Sequence, residues 1–256
     1  MASYFIYDSI NQYRSDNTVS EGQMTDSATP TFSASDTLTS HERSSDQNIG
    51  TIISGVADRD AIEYAVGSSV TANAAAVYFT GDDNVSSGTI MNFFVDTDRA
   101  SLPNKGTITA VSAAGWATTD LTETTGTKFF VEFTGAVTNV SEVLIGSKLS
   151  FEVEPDVNIQ SSIDYENSIQ RSLGGVEYAL NVNTGQEVTT IGFQNISSTF
   201  KTNLTTMQDA LKGEAKKFVW YDGSSFHWVR LDKPMTFTEI ADGRFSTQLV
   251  LRQQIQ

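Results

Sequence analysis

The chain has 256 residues, of which 39% are hydrophobic and 18% are charged, with 16 Lys and Arg against 31 Asp and Glu. Its net charge of −15 disfavours nucleic acid as a partner, because an acidic surface repels phosphates. The absence of cysteine excludes disulfides, thiolate metal sites and a cysteine nucleophile. Abundant Ser, Thr, Asn, Gly and Val favour many short strands joined by polar loops over helix bundles.

The negative charge is concentrated in the first part of the chain. Residues 1–156 hold 7 Lys and Arg against 21 Asp and Glu, a net charge of −14, whereas residues 157–256 hold 9 against 10. This step in charge predicts two domains. We expect a first strand and a polar arm or loop at residues 1–48, an acidic jelly-roll-like β-sandwich at 49–156, and a second β-sandwich with one helix at 157–256.

The N-terminal segment MASYFIYDSINQYRSD has neither a basic region nor a long apolar run, so no signal peptide is expected. No stretch approaches the roughly 18–20 apolar residues that cross a bilayer, so no membrane insertion is expected. Residues 14–48 are rich in Ser, Thr, Asp and Gly with few apolar anchors, which is typical of an extended arm or loop. We therefore expect a protein made in the cytoplasm that leaves it only as part of an assembly.

Alternating apolar and polar residues between turn signals predict a mainly β protein with two β-sandwich or jelly-roll-like domains. In the first domain the predicted strands are Ile62–Val66, Ala75–Thr80, Thr89–Asp96, Thr107–Val111, Phe129–Thr134 and Glu142–Val153. In the second domain they are Gly175–Asn181, Val188–Gln194, Lys217–Tyr221, Phe226–Leu231, Met235–Glu239 and Ser246–Arg252.

One amphipathic helix is predicted over Ser198–Lys212. Its apolar residues recur at spacings of four, three and four, which places them on one face: Phe200, Leu204, Met207 and Leu211. Ser197 or Ser198 is expected to cap its start and Gly213 to end it. Because a lone amphipathic helix beside an antiparallel sheet must bury its apolar face, we expect it to cover the C-terminal sheet.

Two acidic segments carry the hard oxygen ligands that Ca²⁺ prefers. The weak calcium candidates are Asp82, Asp83, Asn84, Asp96 and Asp98. Asp and Asn are also ordinary residues of tight turns, so a bound cation is not required to explain them. No cofactor is expected.

Large aromatic residues and one histidine are the candidate contact residues. Trp116 follows Ala113-Ala-Gly in a loop-like setting and is a candidate for stacking on a sugar or for a subunit interface. Trp220 and Trp228 are predicted to lie in the core, each alternating with Phe along a strand. His227 lies between Phe226 and Trp228 on the opposite strand face, which makes it a candidate exposed or interface imidazole.

Catalytic patterns are weak, and we predict that the chain is not an enzyme. The two histidines, His41 and His227, cannot assemble a multi-histidine metal site, and no G-x-S-x-G nucleophile elbow is present. Close carboxylate pairs such as Glu152 and Glu154 have the residue type that glycan hydrolysis needs, although a solvated outer face is the favoured interpretation. A polysaccharide depolymerase stays an alternative.

Several C-terminal segments together carry a family likeness: Arg171–Gly175, the amphipathic helix, Phe218–Leu231 and Phe237–Arg252. With these segments the run from Asn167 to Ile255 resembles the distal tail or minor tail proteins of long-tailed bacteriophages. The resemblance implies a sandwich-plus-helix module that forms a ring, with six copies expected. It also implies the tail tube and the tail hub as partners, and the virion tail as the location.

The N-terminal part has a second, looser likeness. The segments Ala75–Gly81, the run beginning at Trp116, and Lys128–Asp156 resemble galactose-binding-like jelly rolls of the discoidin type. This resemblance implies a sandwich, and some modules of the kind in phage tails bind host glycans. The leading functional hypothesis is therefore a structural tail-tip protein. The alternatives are a glycan-binding host-recognition module, or a capsid decoration or tail-tube protein.

Overall fold

The computed structural model of the chain describes twelve stretches of residues: 3–8, 18–24, 32–34, 60–81, 90–96, 104–109, 113–135, 140–156, 159–165, 167–171, 177–181 and 185–254. They divide into two compact units. The N-terminal unit is formed by Phe5–Leu149 together with Gln256, and the C-terminal unit by Met1–Tyr4 with Ser150–Ile255. The division near residue 150 lies close to the domain boundary expected at residue 156, and the predicted domain ranges stay predictions.

Up to Ser150, the described residues form strands but no helix. The strands are β1 (Tyr4–Asp8), β2 (Thr18–Met24), β3 (Phe32–Ala34), β4 (Asp60–Phe79), β5 (Ile90–Asp96), β6 (Asn104–Thr109), β7 (Gly115–Thr134) and β8 (Val140–Ser150). In the N-terminal unit the strand order is β6-β5-β7-β4-β8, and β2 pairs with the first part of β4. Two strands therefore occupy the segment that the sequence predicted to be an arm or loop.

Both faces of the N-terminal sheet carry buried residues. The larger core contains Tyr64, Phe93 and Phe129 on one face. The neighbouring residues Phe94 and Phe130 point to the other face and form a smaller buried cluster with Ala61. Burial on both sides explains why these strands read as nearly continuous apolar runs.

The second half of the chain contains strands and one helix. These are β9 (Gln160–Asp164), β10 (Asn167–Arg171), β11 (Glu177–Asn181), β12 (Gln186–Ser197), α1 (Ser198–Ala210), β13 (Lys217–Tyr221), β14 (Phe226–Leu231), β15 (Thr236–Ala241) and β16 (Arg244–Gln253). The strand order in the C-terminal unit is β13-β14-β16-β12-β9, with β15 also on β16, and β10 pairs with β11. The prediction of a mainly β protein with a single helix is confirmed for the described residues.

Helix α1 covers the inner face of β12 and β16. The Ser197 hydroxyl accepts a hydrogen bond from Phe200 N at 3.1 Å, and this N-cap fixes the start of the helix where the sequence predicted it. The helix ends at Ala210 with Leu211 as its C-cap, and Lys212 and Gly213 both follow in the left-handed conformation, with φ of +54° and +69°; the predicted stop, Gly213, thus lies one residue beyond the first left-handed position. The predicted apolar face is buried: Phe200, Leu204, Met207 and Leu211. No helix in the described stretches is long and apolar enough to cross a membrane.

Candidate functional site

The outer face of the C-terminal sheet forms an open groove of about 440 Å³. Its floor is built by three neighbouring strands, β12, β16 and β15. In their registers Gly192 lies opposite Gln248, which lies opposite Thr236, and Ser246 lies opposite Thr238 in the next row. Because residues two apart on a strand share a face, the side chains that alternate with the buried core of these strands point into the groove.

The groove is lined mainly by neutral hydrogen-bonding groups. The polar lining comprises one carboxylate, two amides and hydroxyl groups: Asp156, Gln194, Gln248, Thr236, Thr238, Ser246 and Thr247. The Thr247 hydroxyl is already engaged, since it donates to the carbonyl oxygen of Thr236 at 2.8 Å. Ile240 is exposed and supplies the apolar part of the lining. None of the described residues that line the groove is a Lys or an Arg.

Asp156 is held over the middle of β12 by a close approach to Gly192. The main-chain N–H of Asp156 donates to the carbonyl oxygen of Gly192 at 2.8 Å. A Cβ atom at position 192 would lie 3.0 Å from Oδ2 of Asp156, closer than a side chain ordinarily tolerates. A glycine inside a strand often marks such an approach, and here it leaves room for the carboxylate at the edge of the groove.

The sequence did not single out this group of residues. Val188–Gln194, Met235–Glu239 and Ser246–Arg252 were predicted as strands, but no role was assigned to their outward polar residues. The available signal was local: Thr236, Thr238, Ser246 and Gln248 alternate with apolar residues along two adjacent predicted strands. What the alternation could not show is that Asp156 lies over the same face.

Trp116 lies in strand β7, not in a loop. It is opposite Tyr78 of β4, and the two rings lie 5.3 Å apart with an interplanar angle of 60°. The indole is only 8% exposed, which leaves little area for a sugar to stack on. The same pairing buries Tyr78, and this burial raises the pKa of its hydroxyl. The loop-like setting predicted from Ala113-Ala-Gly is thus wrong, because β7 begins at Gly115, directly before Trp116.

His227 is half-buried and already has an intramolecular partner. Its Nε2 atom lies 2.9 Å from Oδ2 of Asp222, and its ring stacks on Trp220 with centroids 4.9 Å apart. A ligand or a subunit would therefore meet only the outer edge of this imidazole. Trp220 and Trp228 are buried, as the sequence predicted.

The turn that joins β13 to β14 is organised around the Asp222 carboxylate. Its Oδ1 atom accepts hydrogen bonds from the N–H of Ser224 and of Ser225, both at 2.7 Å, and from the Ser224 hydroxyl at 2.8 Å. Partial burial opposes ionisation of Asp222. The hydrogen bonds from His227, Ser225 and Ser224 outweigh it and hold the pKa of this carboxyl well below its ordinary value.

Because folding lowers the pKa of Asp222, the unfolding free energy of the C-terminal unit should depend on pH in the acidic range. A carboxyl whose pKa is depressed by folding contributes stability above its unfolded pKa and loses that contribution as the pH falls toward the folded value. We expect the unfolding free energy to fall below about pH 4, close to the ordinary Asp value of 3.8. Urea unfolding between pH 2 and pH 7 checks this, with Asp222→Asn as the comparison. Parallel pH curves for the two proteins would contradict the prediction.

The calcium candidates cannot be assembled from the described residues. Asp82, Asp83, Asn84 and Asp98 lie outside them, and Asp96 ends β5 without a described side chain. Within the described stretches no group of three or more His, Cys, Asp or Glu is placed to hold a metal ion. The calcium site therefore stays a prediction.

The carboxylate pair Glu152 and Glu154 is exposed and serves local structure. Glu152 accepts a hydrogen bond from the Ser197 hydroxyl at 2.6 Å and lies 3.8 Å from Arg244. Glu154 accepts one from the Ser3 hydroxyl at 2.9 Å. Each carboxylate thus has its own structural partner, and neither lines the groove.

No family model matches the chain, and no curated protein matches it. Among solved structures, it is similar to the CBM32 of AlyQ in complex with 4,5-unsaturated mannuronic acid, at 21% identity over 44% of this chain and 85% of that chain (TM-score 0.35). It is also similar to the family 32 carbohydrate-binding module from Clostridium perfringens NanJ in complex with galactose, at 12% identity over 56% of this chain and 98% of that chain (TM-score 0.39). A third similar structure is the C-terminal domain of a chitobiase from Bacteroides fragilis, at 11% identity over 54% of this chain and 97% of that chain (TM-score 0.39).

Family 32 modules are discoidin-like β-sandwiches, the class of fold that the sequence suggested for the N-terminal part. TM-scores of 0.35 and 0.39 decide neither the fold family of this chain nor its ligand. None of the three comparisons shows a phage tail family.

Proposed function

We propose that this chain is a binding protein for a neutral oligosaccharide, and that the groove on β12, β16 and β15 is its site. The observation that carries the proposal is the lining of the groove. Its described residues supply one carboxylate, two amides, several hydroxyl groups and an exposed Ile, but no Lys or Arg. Its volume of about 440 Å³ lies in the range of roughly 300–1,000 Å³ of small-molecule sites.

The lining matches the hydrogen-bonding needs of sugar hydroxyl groups. Each sugar hydroxyl both donates and accepts, and the amides of Gln194 and Gln248 offer both roles at a fixed spacing. Asp156 accepts only, and a charged acceptor makes the stronger hydrogen bonds. Ile240 can contact the apolar C–H face of a sugar ring. The absence of Lys and Arg from the lining, on a chain of net charge −15, disfavours phosphorylated or sulfated ligands.

The groove chemistry favours binding over turnover. Glycoside hydrolysis generally needs two carboxyl groups about 5–10 Å apart, one on each side of the scissile bond. Asp156 is the one carboxylate among the lining residues in the part of the chain that the structure describes. We therefore propose a non-catalytic role.

The binding test begins with an array of neutral oligosaccharides and continues with calorimetry on the ligands found. Losing a hydrogen bond from a charged group costs about 1.5–3 kcal/mol, so Asp156→Asn should weaken binding roughly tenfold to a hundredfold. Thr238→Val should weaken it about twofold to tenfold. Gly192→Ala should also weaken it, because the new methyl group displaces the Asp156 carboxylate.

Matched variants outside the groove control for general effects of these substitutions. Asp242→Asn changes an exposed carboxyl in the turn between β15 and β16, and Thr206→Val changes an exposed hydroxyl on α1. Both should bind as the unmodified protein does. Failure to bind any neutral oligosaccharide, or equal binding by Asp156→Asn, would reject the proposal.

A second candidate function is a structural component of a phage tail tip, in a ring of copies between the tail tube and the hub. The observation that favours it is the form of the C-terminal unit. The two resembling segments Phe218–Leu231 and Phe237–Arg252 become the hairpins β13–β14 and β15–β16, beside a sheet covered by one helix. The test is the mass of the purified protein and its detection in purified tails. A monomer that is absent from virions would reject this candidate.

A further inference from the structure

Strand β9 forms an unprotected edge of the C-terminal sheet. It pairs with β12 on one side, and on the other side it has no partner strand in the part of the chain that the structure describes. Exposed edges offer unpaired N–H and C=O groups to another strand, and proteins commonly block them with Lys, Pro or a bulge. Residues 159–165, IQSSIDY, contain no Lys, Arg or Pro.

Among the C-terminal residues whose burial the structure describes, most of the exposed large apolar side chains lie in this strand or directly beside it. Ile159 and Tyr165 are both 47% exposed and Ile163 is 61% exposed. Ile163 lies in β9, and Ile159 and Tyr165 directly flank its ends, so their odd positions continue one face of the strand. Ile163 and Tyr165 lie against Gly185, where an added Cβ would be 2.7 Å from each of them. These apolar side chains are therefore supported by their own sheet while remaining open to a partner.

The edge strand itself carries little charge although the chain is strongly acidic. Asp164 is the one charged residue of the segment 159–165, and its Oδ2 atom accepts a hydrogen bond from Arg252 Nη2 at 2.9 Å. On the apolar face, the neighbouring Glu187 carboxylate accepts a hydrogen bond from the Ser161 hydroxyl. A second copy can approach this edge without facing an uncompensated charge of β9 itself.

We propose that β9 pairs with β9 of a second copy, antiparallel, about a twofold axis at Ser162. In this register Ile159 lies opposite Tyr165 of the partner subunit, and Ser161 lies opposite Ile163 of the partner subunit. Each pair of opposed residues on that face then contains at least one apolar side chain. On the other face Gln160 lies opposite Asp164 of the partner subunit, so an amide donor meets a carboxylate.

The segment specifies this pairing through its own pattern. A shift by one residue would set the apolar face of one copy against the polar face of the other. A twofold contact uses the same patch on both copies, whereas a ring needs two different patches. The proposal therefore goes beyond both candidate functions and rests on neither: pairing through β9 requires neither a glycan nor a ring.

Sedimentation equilibrium of the full chain measures the pairing. We expect the mass to rise with concentration from 27.8 kDa toward twice that value. Ile163→Lys places a charge on the apolar face of both copies at once and should weaken association at least about tenfold. The matched control is Ile90→Lys, at a residue that is 39% exposed in the N-terminal unit, which should associate like the unmodified protein. A monomer at all concentrations, or association that Ile163→Lys leaves unchanged, overturns the proposal.

A disulfide test checks the register directly. Because the chain has no cysteine, Ser162→Cys introduces its only thiol. Directly opposed residues have Cα atoms about 4.5–5.5 Å apart, within the range that a disulfide spans. Ser162→Cys should therefore form a covalent dimer on mild oxidation. In Ser161→Cys the two thiols would be diagonal neighbours at about 7–8 Å, so it should cross-link poorly. Efficient cross-linking of Ser161→Cys alone would overturn the register.

Discussion

Replacing Phe200 with alanine is expected to lower the unfolding free energy of the C-terminal unit by about 3–5 kcal/mol. The Phe200 side chain is the first buried residue of α1, and its ring meets Phe193 of β12 edge-on with centroids 5.8 Å apart. Phe193 in turn meets Phe151 at 5.0 Å and 89°. Truncation removes one of the buried contacts between helix and sheet and leaves a cavity that the surrounding strands cannot fill.

Urea unfolding followed by tryptophan fluorescence measures this loss. A Trp116→Phe background leaves Trp220 and Trp228 as the reporters, and both lie in the C-terminal unit. Thr202→Ala on the exposed face of the same helix is the control and should change the unfolding free energy by no more than about 0.5 kcal/mol. A loss below about 1 kcal/mol for Phe200→Ala would mean that α1 does not depend on this contact.

Replacing Arg252 with methionine should cost about 3 kcal/mol, the second large effect. The buried guanidinium donates to Asp232 Oδ1 at 2.6 Å, to Asp164 Oδ2 at 2.9 Å and to Gln186 Oε1 at 3.4 Å. The hydrogen bond to Asp232 is the main reason why the pKa of Arg252 is raised. Methionine keeps the apolar stem but leaves the mostly buried Asp232 without its cation. Breaking a buried ion pair costs about 3–5 kcal/mol, and the half-exposed Asp164 brings the expected value to the lower end.

The control for this substitution lies directly across the sheet. Arg230 is opposite Arg252 in the register of β14 and β16 and is only half-buried, so Arg230→Met should cost far less. Asp232→Asn should destabilise more than Asp164→Asn, because Asp232 is the less exposed partner and has the shorter hydrogen bond. If Arg230→Met and Arg252→Met lowered the unfolding free energy equally, the hydrogen bonds of Arg252 to Asp232, Asp164 and Gln186 would have no measurable role.

Elements with strong local signals were predicted closely. Strands β13 and β14 have the bounds that the sequence predicted, since an Asp-Gly turn between two short runs rich in aromatic residues defines a hairpin without help from the rest of the chain. Helix α1 begins at the predicted residue, Ser198, because its N-cap, Ser197, lies directly before it and three residues before the first apolar residue, Phe200. In these cases, neighbours in sequence carry the determining interactions.

Elements that depend on a distant partner were predicted less well. The predicted strands Ile62–Val66 and Ala75–Thr80 are parts of one 20-residue strand, β4. The polar residues between them suggested a turn, but β7 pairs along nearly the whole of β4, with shifts of register that absorb them. Strand β9 was not predicted, although Ile159, Ile163 and Tyr165 share one alternating face. It is short and polar, and its place follows from pairing with β12.

The sequence alone determined the mainly β composition, the helix with its N-cap, and the exclusion of cysteine chemistry, because these depend on residue type and local periodicity. Tertiary structure decided which polar residues meet. Asp156 reaches Gly192 through a main-chain hydrogen bond across 36 positions, and the registers of β12, β16 and β15 bring the amides and hydroxyl groups into one groove. Such convergence arises from strand pairing between distant segments, and no pattern within a single segment encodes it.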